Sequence, residues 1–223
     1  MKRILIILLM LVLSFGLTLA QEEKPLSDKK VVMIIAHENF RDEELLEPQV
    51  ILLGKGAEVV IASSSIDIAK GMLGAKVKPG MLVSDIKAKD WDAIVLVGGQ
   101  GAKIYWEDKV LHNILTEAAK ENKVIGAICI APVTLANAGI LKDKKGTVYD
   151  GVADKIKSKG AIYTSLDIEQ DGKIITANGP KAARAFGEAL ALELAKAENK
   201  STGQKDCKQE KCSKTCAIGP CIK

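Results

Sequence analysis

The chain has 223 residues, with 32 lysines and arginines against 28 aspartates and glutamates, and a formal net charge of +4 at pH 7. Charge this nearly balanced and spread along the chain argues against nucleic acid as a partner. Beyond a short apolar start, about 200 residues remain, which suits one domain with a sizeable core.

The first twenty residues, "MKRILIILLMLVLSFGLTLA", begin with Lys2 and Arg3, continue as an apolar run and end on small residues. This order predicts a secretory signal peptide over residues 1–20, cleaved after Ala20. An uncleaved membrane anchor is the alternative, although the apolar run is short for a membrane span. We therefore expect an exported protein, periplasmic or extracellular, with no stable membrane insertion after cleavage. Residues 21–29 are polar and predict a flexible lead-in.

Between residues 30 and 139, short apolar runs alternate with stretches of helical character. Continuous apolar runs at 31–36, 57–63, within 91–99 and at 123–129 predict buried parallel strands. Helices are predicted over 41–56 and 105–122, and "APVTLANAG" (131–139) is suited to begin another. Glycines between short β-like pieces in 71–86 predict a small hairpin or another short excursion from the sheet.

The second half of the chain adds a hairpin and a final helix. Asp171-Gly172 is a hairpin-turn signal. Residues 181–197 have a strongly amphipathic helical pattern that begins after Pro180. Strands that alternate with helices predict an α/β sandwich around a mainly parallel sheet.

Three features follow the predicted strands, where reactive groups gather in open parallel sheets. Glu44 follows the first strand, Gly98-Gly99 the third and Cys129 the fourth. A strand–turn–helix bend exposes the side chain at its apex and favours a thiolate, although free cysteines are among the most buried residues. Glu44 is either a proton-sharing partner of the thiol or a surface carboxylate in a first helical turn. A backbone amide of Gly98-Gly99 can approach a developing oxyanion closely, alongside the amide of Ile130. The alternative is that the two glycines only form a tight turn.

Four stretches in order resemble the ThiJ/PfpI family, within the class I glutamine amidotransferase-like superfamily. They are "NFRDEELLEP", "WDAIVLVGGQGA", "GAICIAPVTLANAG" and "GKIITANGPKAARAFGEALALELA". The resemblance covers about residues 30–198 and implies a flavodoxin-like three-layer α/β/α sandwich with a cysteine nucleophile elbow, usually dimeric or larger. It implies Cys129 as the nucleophile, Glu44 as its support, and the amides of Gly99 and Ile130 as oxyanion donors. Reported activities of the family are glutathione-independent glyoxalase, protein deglycase, peptidase and redox-responsive chaperone.

Histidine is where this chain departs from the family pattern. Peptidase-like members carry histidine directly after the nucleophile, where this chain has Ile130, and the later-loop position of other members falls on Tyr149. His37 ends the first strand and is a possible auxiliary, whereas His112 is predicted to be a surface or packing residue. The missing histidine disfavours a Cys-His-acid peptidase.

The mechanism that remains uses Glu44 as the proton carrier and requires no metal or organic cofactor. Its substrate is a small 2-oxoaldehyde or a glycated protein group. Tyr149 is a possible hydrogen-bond donor or a packed aromatic. The competing hypothesis is a redox sensor or chaperone-like protein in which Cys129 oxidises without turnover.

Residues 199–223 form a lysine- and cysteine-rich tail that the resemblance does not cover. Its four cysteines are Cys207, Cys212, Cys216 and Cys221. Two disulfides, a metal or cluster site, and free or partner-linked thiols all remain open.

Overall fold

The computed structural model describes residues 24–202 of the chain, with side-chain surroundings as far as residue 196. The predicted signal peptide (1–20), part of the lead-in (21–23) and the four tail cysteines lie outside the described residues. Within 24–202, no helix is long and apolar enough to cross a membrane.

The twelve strands of the described chain are β1 (Lys30–Ile34), β2 (Glu38–Phe40), β3 (Glu58–Ser63), β4 (Ala69–Gly71), β5 (Lys76–Val77), β6 (Met81–Leu82), β7 (Ala93–Leu96), β8 (Val124–Ile128), β9 (Lys145–Gly146), β10 (Ile162–Tyr163), β11 (Ile168–Asp171) and β12 (Ile174–Ala177). Seven of them form the central sheet of the fold, in the order β11-β12-β8-β7-β1-β3-β6. All neighbouring strands of this sheet are parallel except β11 and β12, which form an antiparallel hairpin. Two small sheets, β2-β4-β5 and β9-β10, lie outside it.

Helices cover both faces of the central sheet. The α-helices in the described range are α1 (Asp42–Gly54), α2 (Lys109–Lys120), α3 (Pro132–Asn137), α4 (Ala153–Lys157) and α5 (Ala183–Thr202). Single 3-10 segments lie at Val83–Asp85, Ala88–Asp90, Gln100–Tyr105, Asp150–Val152 and Pro180–Ala182. One core lies between the sheet and α2, α3 and α4, and the other between the sheet and α1 and α5. The expected three-layer α/β/α sandwich is confirmed.

Alternate residues of the central strands supply the two cores. In β1, Val32 and Ile34 face the first core, whereas Val31 and Met33 face the second. A strand buried on both faces has no polar side, which is why these strands are continuous apolar runs in the sequence.

The predicted elements are found, with boundaries that differ by a few residues; the final helix, for example, is Ala183–Thr202 and not 181–197. The hairpin expected in 71–86 is the β4–β5 pair, which begins at Ala69, and the Asp171-Gly172 turn joins β11 to β12. The helix predicted from residue 105 begins at Lys109, because the Asp108 carboxylate accepts hydrogen bonds from the backbone amides of residues 110 and 111, at 2.8 and 3.1 Å. A 3-10 segment occupies the stretch before it.

The sheet order brings three loops together at one edge. β7 pairs with β1 on one side and with β8 on the other, all in parallel. The segments after these strands therefore emerge side by side, and they carry Glu44, Gly98-Gly99 and Cys129. This edge is where a site is expected in an open parallel sheet.

Candidate active site

Cys129 lies in the bend between β8 and α3, and its backbone is in the left-handed region with φ of 63°. Such a conformation costs about 1–2 kcal/mol in a residue with a side chain, so its surroundings must hold it. The Cys129 amide donates to the Ala177 carbonyl and its own carbonyl accepts from the Tyr149 amide, both at 2.9 Å. The thiol is half-buried, between the exposed and buried alternatives that the sequence left open.

Two backbone amides meet the Cys129 sulfur. Burial raises the pKa of the thiol to about 12, and the neighbouring Glu44 carboxylate acts in the same direction. Hydrogen bonds from the amides of Gly99 and Ile130 oppose that rise. Amides at this position can also bind the oxygen of a carbonyl attacked by the sulfur. The structure thus brings both predicted donors to the thiol, while their action on an oxyanion stays a prediction.

Glu44 is fully buried in the first turn of α1. Its Oε2 accepts from the Gly98 amide at 3.1 Å, whereas its Oε1 is buried without a hydrogen bond of normal geometry. Burial raises the pKa of the Glu44 carboxyl to about 7, although the nearby Cys129 thiol and the Gly98 amide lower it. A Cβ at Gly98 would lie 2.5 Å from Glu44 Oε2 and 2.6 Å from Cys129 Cβ. Glycine is therefore needed where the carboxyl and the thiol flank the backbone.

The thiol and the carboxyl act as one titrating pair. Two negative charges in this desolvated place repel each other, so the doubly ionised form requires high pH. Near neutral pH the pair carries between one and two protons. A carboxyl with a pKa near 7 can both take a proton from an attacking thiol and return it. The arrangement therefore supports nucleophilic attack followed by proton transfer.

A cavity of about 250 Å³ opens onto this pair. It is slightly smaller than typical small-molecule sites, which span roughly 300–1,000 Å³. A second groove of about 300 Å³ adjoins it and shares Tyr149 and Pro180 as walls. The residues lining the first cavity are Arg41, Glu44, Met72, Gly99, Gln100, Cys129, Ile130, Tyr149 and Pro180.

Of the remaining predicted residues, Tyr149 lies at the cavity, whereas His37 and His112 do not line it. Tyr149 is exposed and lines the cavity. His37 does not line it; its Nε2 lies 3.8 Å from Glu38 Oε1. His112 is buried in α2 and its Nε2 donates to the Trp106 carbonyl at 2.9 Å, which agrees with a packing role. Neither histidine of the described chain is therefore among the residues that line the cavity. In the same part of the chain, no group of three or more side chains is arranged to hold a metal ion.

Sequence reasoning did not predict two residues that line the cavity, Met72 and Arg41. Met72 comes from the β4–β5 turn, which the buried Asp42 carboxylate holds by accepting from the amides of Leu73 and Ala75, at 2.8 and 2.7 Å. Arg41 directly precedes α1 and reaches the cavity beside Glu44. The acidic residue at the start of α1 was visible in the sequence, but its partners 31 and 33 residues away were not.

Replacing Gly99 with alanine is expected to destabilise the fold and displace one of the two amides. Gly99 has φ of 93°, and a Cβ would lie 2.4 Å from the Arg41 backbone nitrogen. We expect a loss of at least about 2 kcal/mol in the free energy of unfolding, measured in urea. Gly139→Ala is the matched control, because Gly139 has φ of 78° with open space around it and should lose only about 1 kcal/mol. Equal losses of unfolding free energy in the two variants would contradict a steric clash between a Cβ at position 99 and the Arg41 backbone.

The raised Glu44 pKa predicts a stability that depends on pH. The folded carboxyl holds its proton more tightly than the unfolded one, whose pKa is near 4.5. The stabilisation is therefore complete below pH 4.5 and is lost as pH rises through about 7. We expect the difference in unfolding free energy between wild type and Glu44→Gln to fall by about 3 kcal/mol between pH 4 and 8.5. A difference that is flat with pH would show that the carboxyl titrates normally.

Known proteins are similar to this chain in sequence and in fold. The profile of the DJ-1/PfpI family matches residues 29–193. An uncharacterised protein of Methanocaldococcus jannaschii is 41% identical over 90% of this chain and 99% of its own length. A glutathione-independent glyoxalase of Caenorhabditis elegans is 29% identical over 75% of this chain and 90% of its own. A deglycase of Pyrococcus horikoshii is 30% identical over 68% of this chain and 90% of its own. Among solved structures, a ThiJ/PfpI domain protein of Brachyspira murdochii superposes with a TM-score of 0.73 at 28% identity, covering 75% of this chain and 96% of that one.

Proposed function

Because the chain belongs to the DJ-1/PfpI family, we propose that it converts small 2-oxoaldehydes to 2-hydroxy acids without glutathione, using Cys129 as nucleophile and Glu44 as proton carrier. The observation that carries the proposal is the buried Glu44 carboxyl, with a pKa near 7, beside a thiol that meets two backbone amides. Relatives named as a glyoxalase and a deglycase support the same class of carbonyl chemistry.

The first step forms a bond between the Cys129 sulfur and the aldehyde carbon. The thiol proton passes to Glu44 as the sulfur attacks, and the aldehyde oxygen becomes an oxyanion. The amides of Gly99 and Ile130 lie at the sulfur and would bind that oxygen. The oxyanion then takes up a proton, which gives a neutral hemithioacetal and returns Glu44 to its carboxylate form.

The second step moves a proton between adjacent carbons. The Glu44 carboxylate removes the proton from the former aldehyde carbon and delivers a proton to the neighbouring ketone carbon. The hydroxyl proton of the hemithioacetal passes to the former ketone oxygen, so that the ketone becomes an alcohol. The former aldehyde carbon is now a thioester on Cys129. Water cleaves it, releasing the 2-hydroxy acid and restoring the thiol, so the net reaction adds one water to the 2-oxoaldehyde.

Glycated groups are the second candidate substrates for the same site. The supporting observation is the groove of about 300 Å³ that adjoins the cavity and gives room for a group larger than a small aldehyde. A glycated amine would present its former aldehyde carbon to Cys129 and leave as the free amine. Glycation is reversible, so an enzyme that only consumes free 2-oxoaldehyde also releases some amine. A true deglycase must therefore release amine faster than removal of the free 2-oxoaldehyde alone would.

The test uses purified, reduced full-length protein with methylglyoxal and no glutathione, and follows lactate by NMR. We expect lactate in proportion to enzyme. A folded, reduced protein that forms no lactate would overturn the glyoxalase proposal. Release of free amine from a purified glycated amino acid, in excess of a control in which free methylglyoxal is trapped chemically, would then support the deglycase instead.

A further inference from the structure

Among the described residues that line the Cys129 cavity, Arg41 has the only cationic side chain. Its side chain is 28% exposed, so a small molecule in the cavity can reach it. Lys181 lines only the adjoining groove. The described chain has one other arginine, Arg184, which is exposed on α5 and paired with Glu188 at 3.3 Å.

Glu43 holds the Arg41 guanidinium from one side. Arg41 Nε donates to Glu43 Oε2 at 2.8 Å, and one terminal nitrogen donates to Oε1 at 3.1 Å. The other terminal nitrogen makes no hydrogen bond within the described residues. A guanidinium has five donors in a rigid planar fork, so this side chain is oriented by one carboxylate and retains donors for a second.

The reactive end of the cavity makes a cation useful there. Cys129 and Glu44 share negative charge during the reaction, and both interact with the Arg41 charge. An anionic substrate without a compensating cation would be repelled from this pair, because charges in a desolvated site are weakly screened. Arg41 offsets that repulsion at the wall of the cavity.

We propose that Arg41 is the specificity-determining residue of this site and selects 2-oxoaldehydes that carry a carboxylate at their far end. The inference rests on the proposed function and names its substrate class. A representative substrate is 4,5-dioxopentanoate, whose aldehyde carbon becomes a carboxylate and whose adjacent ketone becomes an alcohol, with uptake of one water. The product is 2-hydroxyglutarate, and no external oxidant or reductant is required.

The first test measures anion binding without turnover. Iodoacetamide alkylates Cys129 in the full chain, and mass spectrometry of the peptide containing residue 129 separates it from the tail cysteines. We expect glutarate to slow this alkylation in wild type and in the control Arg184→Gln, whereas the uncharged glutaramide gives little protection. In Arg41→Gln, the glutarate concentration for half protection should rise about 10- to 100-fold, as expected for loss of a charged hydrogen bond. Equal protection by the two compounds, no protection of wild type, or an unchanged Arg41→Gln would each overturn the proposal.

The second test compares turnover of two 2-oxoaldehydes of similar length, the anionic 4,5-dioxopentanoate and the neutral 2-oxohexanal. We expect the ratio of their kcat/KM values to favour the anion in wild type and in Arg184→Gln. In Arg41→Gln that ratio should fall about 10- to 100-fold, and Arg41→Lys should restore part of it. Turnover of both compounds with no change in the ratio would overturn the inference and leave the proposed function standing. Glutarate protection without turnover of either compound would overturn the proposed function and the substrate class with it, and would leave Arg41 only as an anion-binding residue.

Discussion

Cys129→Ala is expected to lower kcat for methylglyoxal by about 10⁴-fold or more, because Cys129 is the only thiol among the described residues that line the cavity and the reaction passes through a thioester. The fold should survive. Alanine adopts the same left-handed backbone as Cys129, at φ of 63°, and removes only a half-buried sulfur. We therefore expect a change of no more than about 1 kcal/mol in the free energy of unfolding.

Cys129→Ser separates nucleophilicity from shape. Serine has nearly the same size, but its hydroxyl is far harder to deprotonate beside a carboxylate, so this variant should be inactive as well. Lactate formation that persists in both variants would show that the reaction occurs elsewhere. Oxidation of Cys129 by added oxidant in a wild-type protein that converts no substrate would favour the redox-sensing hypothesis.

Glu44→Gln is expected to lower kcat by about 10²- to 10⁴-fold, the usual contribution of a positioned general acid or base. Glutamine keeps the size of the side chain and cannot carry the proton between the two substrate carbons. Because the pKa of Glu44 is near 7, the wild-type rate should change with pH around that value, and this dependence should disappear from the residual activity of the variant.

Glu47→Gln is the matched control for this prediction. Glu47 is exposed on the same helix, α1, less than one turn further along, and does not line the cavity. Its loss should leave kcat and the pH profile unchanged. A Glu44→Gln enzyme with a normal kcat would remove Glu44 from the mechanism and favour a direct hydride transfer between the substrate carbons.

Short apolar runs predicted the central strands because these strands are buried on both faces. Their order in the sheet was not available from the same runs. β1 pairs with β3 and β7, and β12 pairs with β8, across long stretches of chain. Pairing between strands far apart in the chain depends on how helices cover each face of the sheet. The local pattern of apolar residues therefore does not predict the strand order.

Histidine shows where motif reasoning needed the structure. Ile130 after the nucleophile was readable directly, and it disfavoured a peptidase. Whether His37 reached the thiol was a question of distance, and the structure places His37 beside Glu38 instead. The same holds for Met72, which lies outside the four motifs, and for Arg41, which lies within the first of them without an assigned role; both line the cavity.

The sequence by itself determined the layered α/β fold, the helix that carries Glu44, and the bend at Cys129, because these depend on local periodicity, turn residues and ordered motifs. Only the tertiary structure decided that Glu44 is fully buried, with a pKa near 7, and that the amides of Gly99 and Ile130 meet the same sulfur. A pKa is set by the solvent and charges around a group, and those come from segments far apart in the chain. The chemistry of the pair therefore depends on the packing of β1, β7 and β8 at one edge of the sheet.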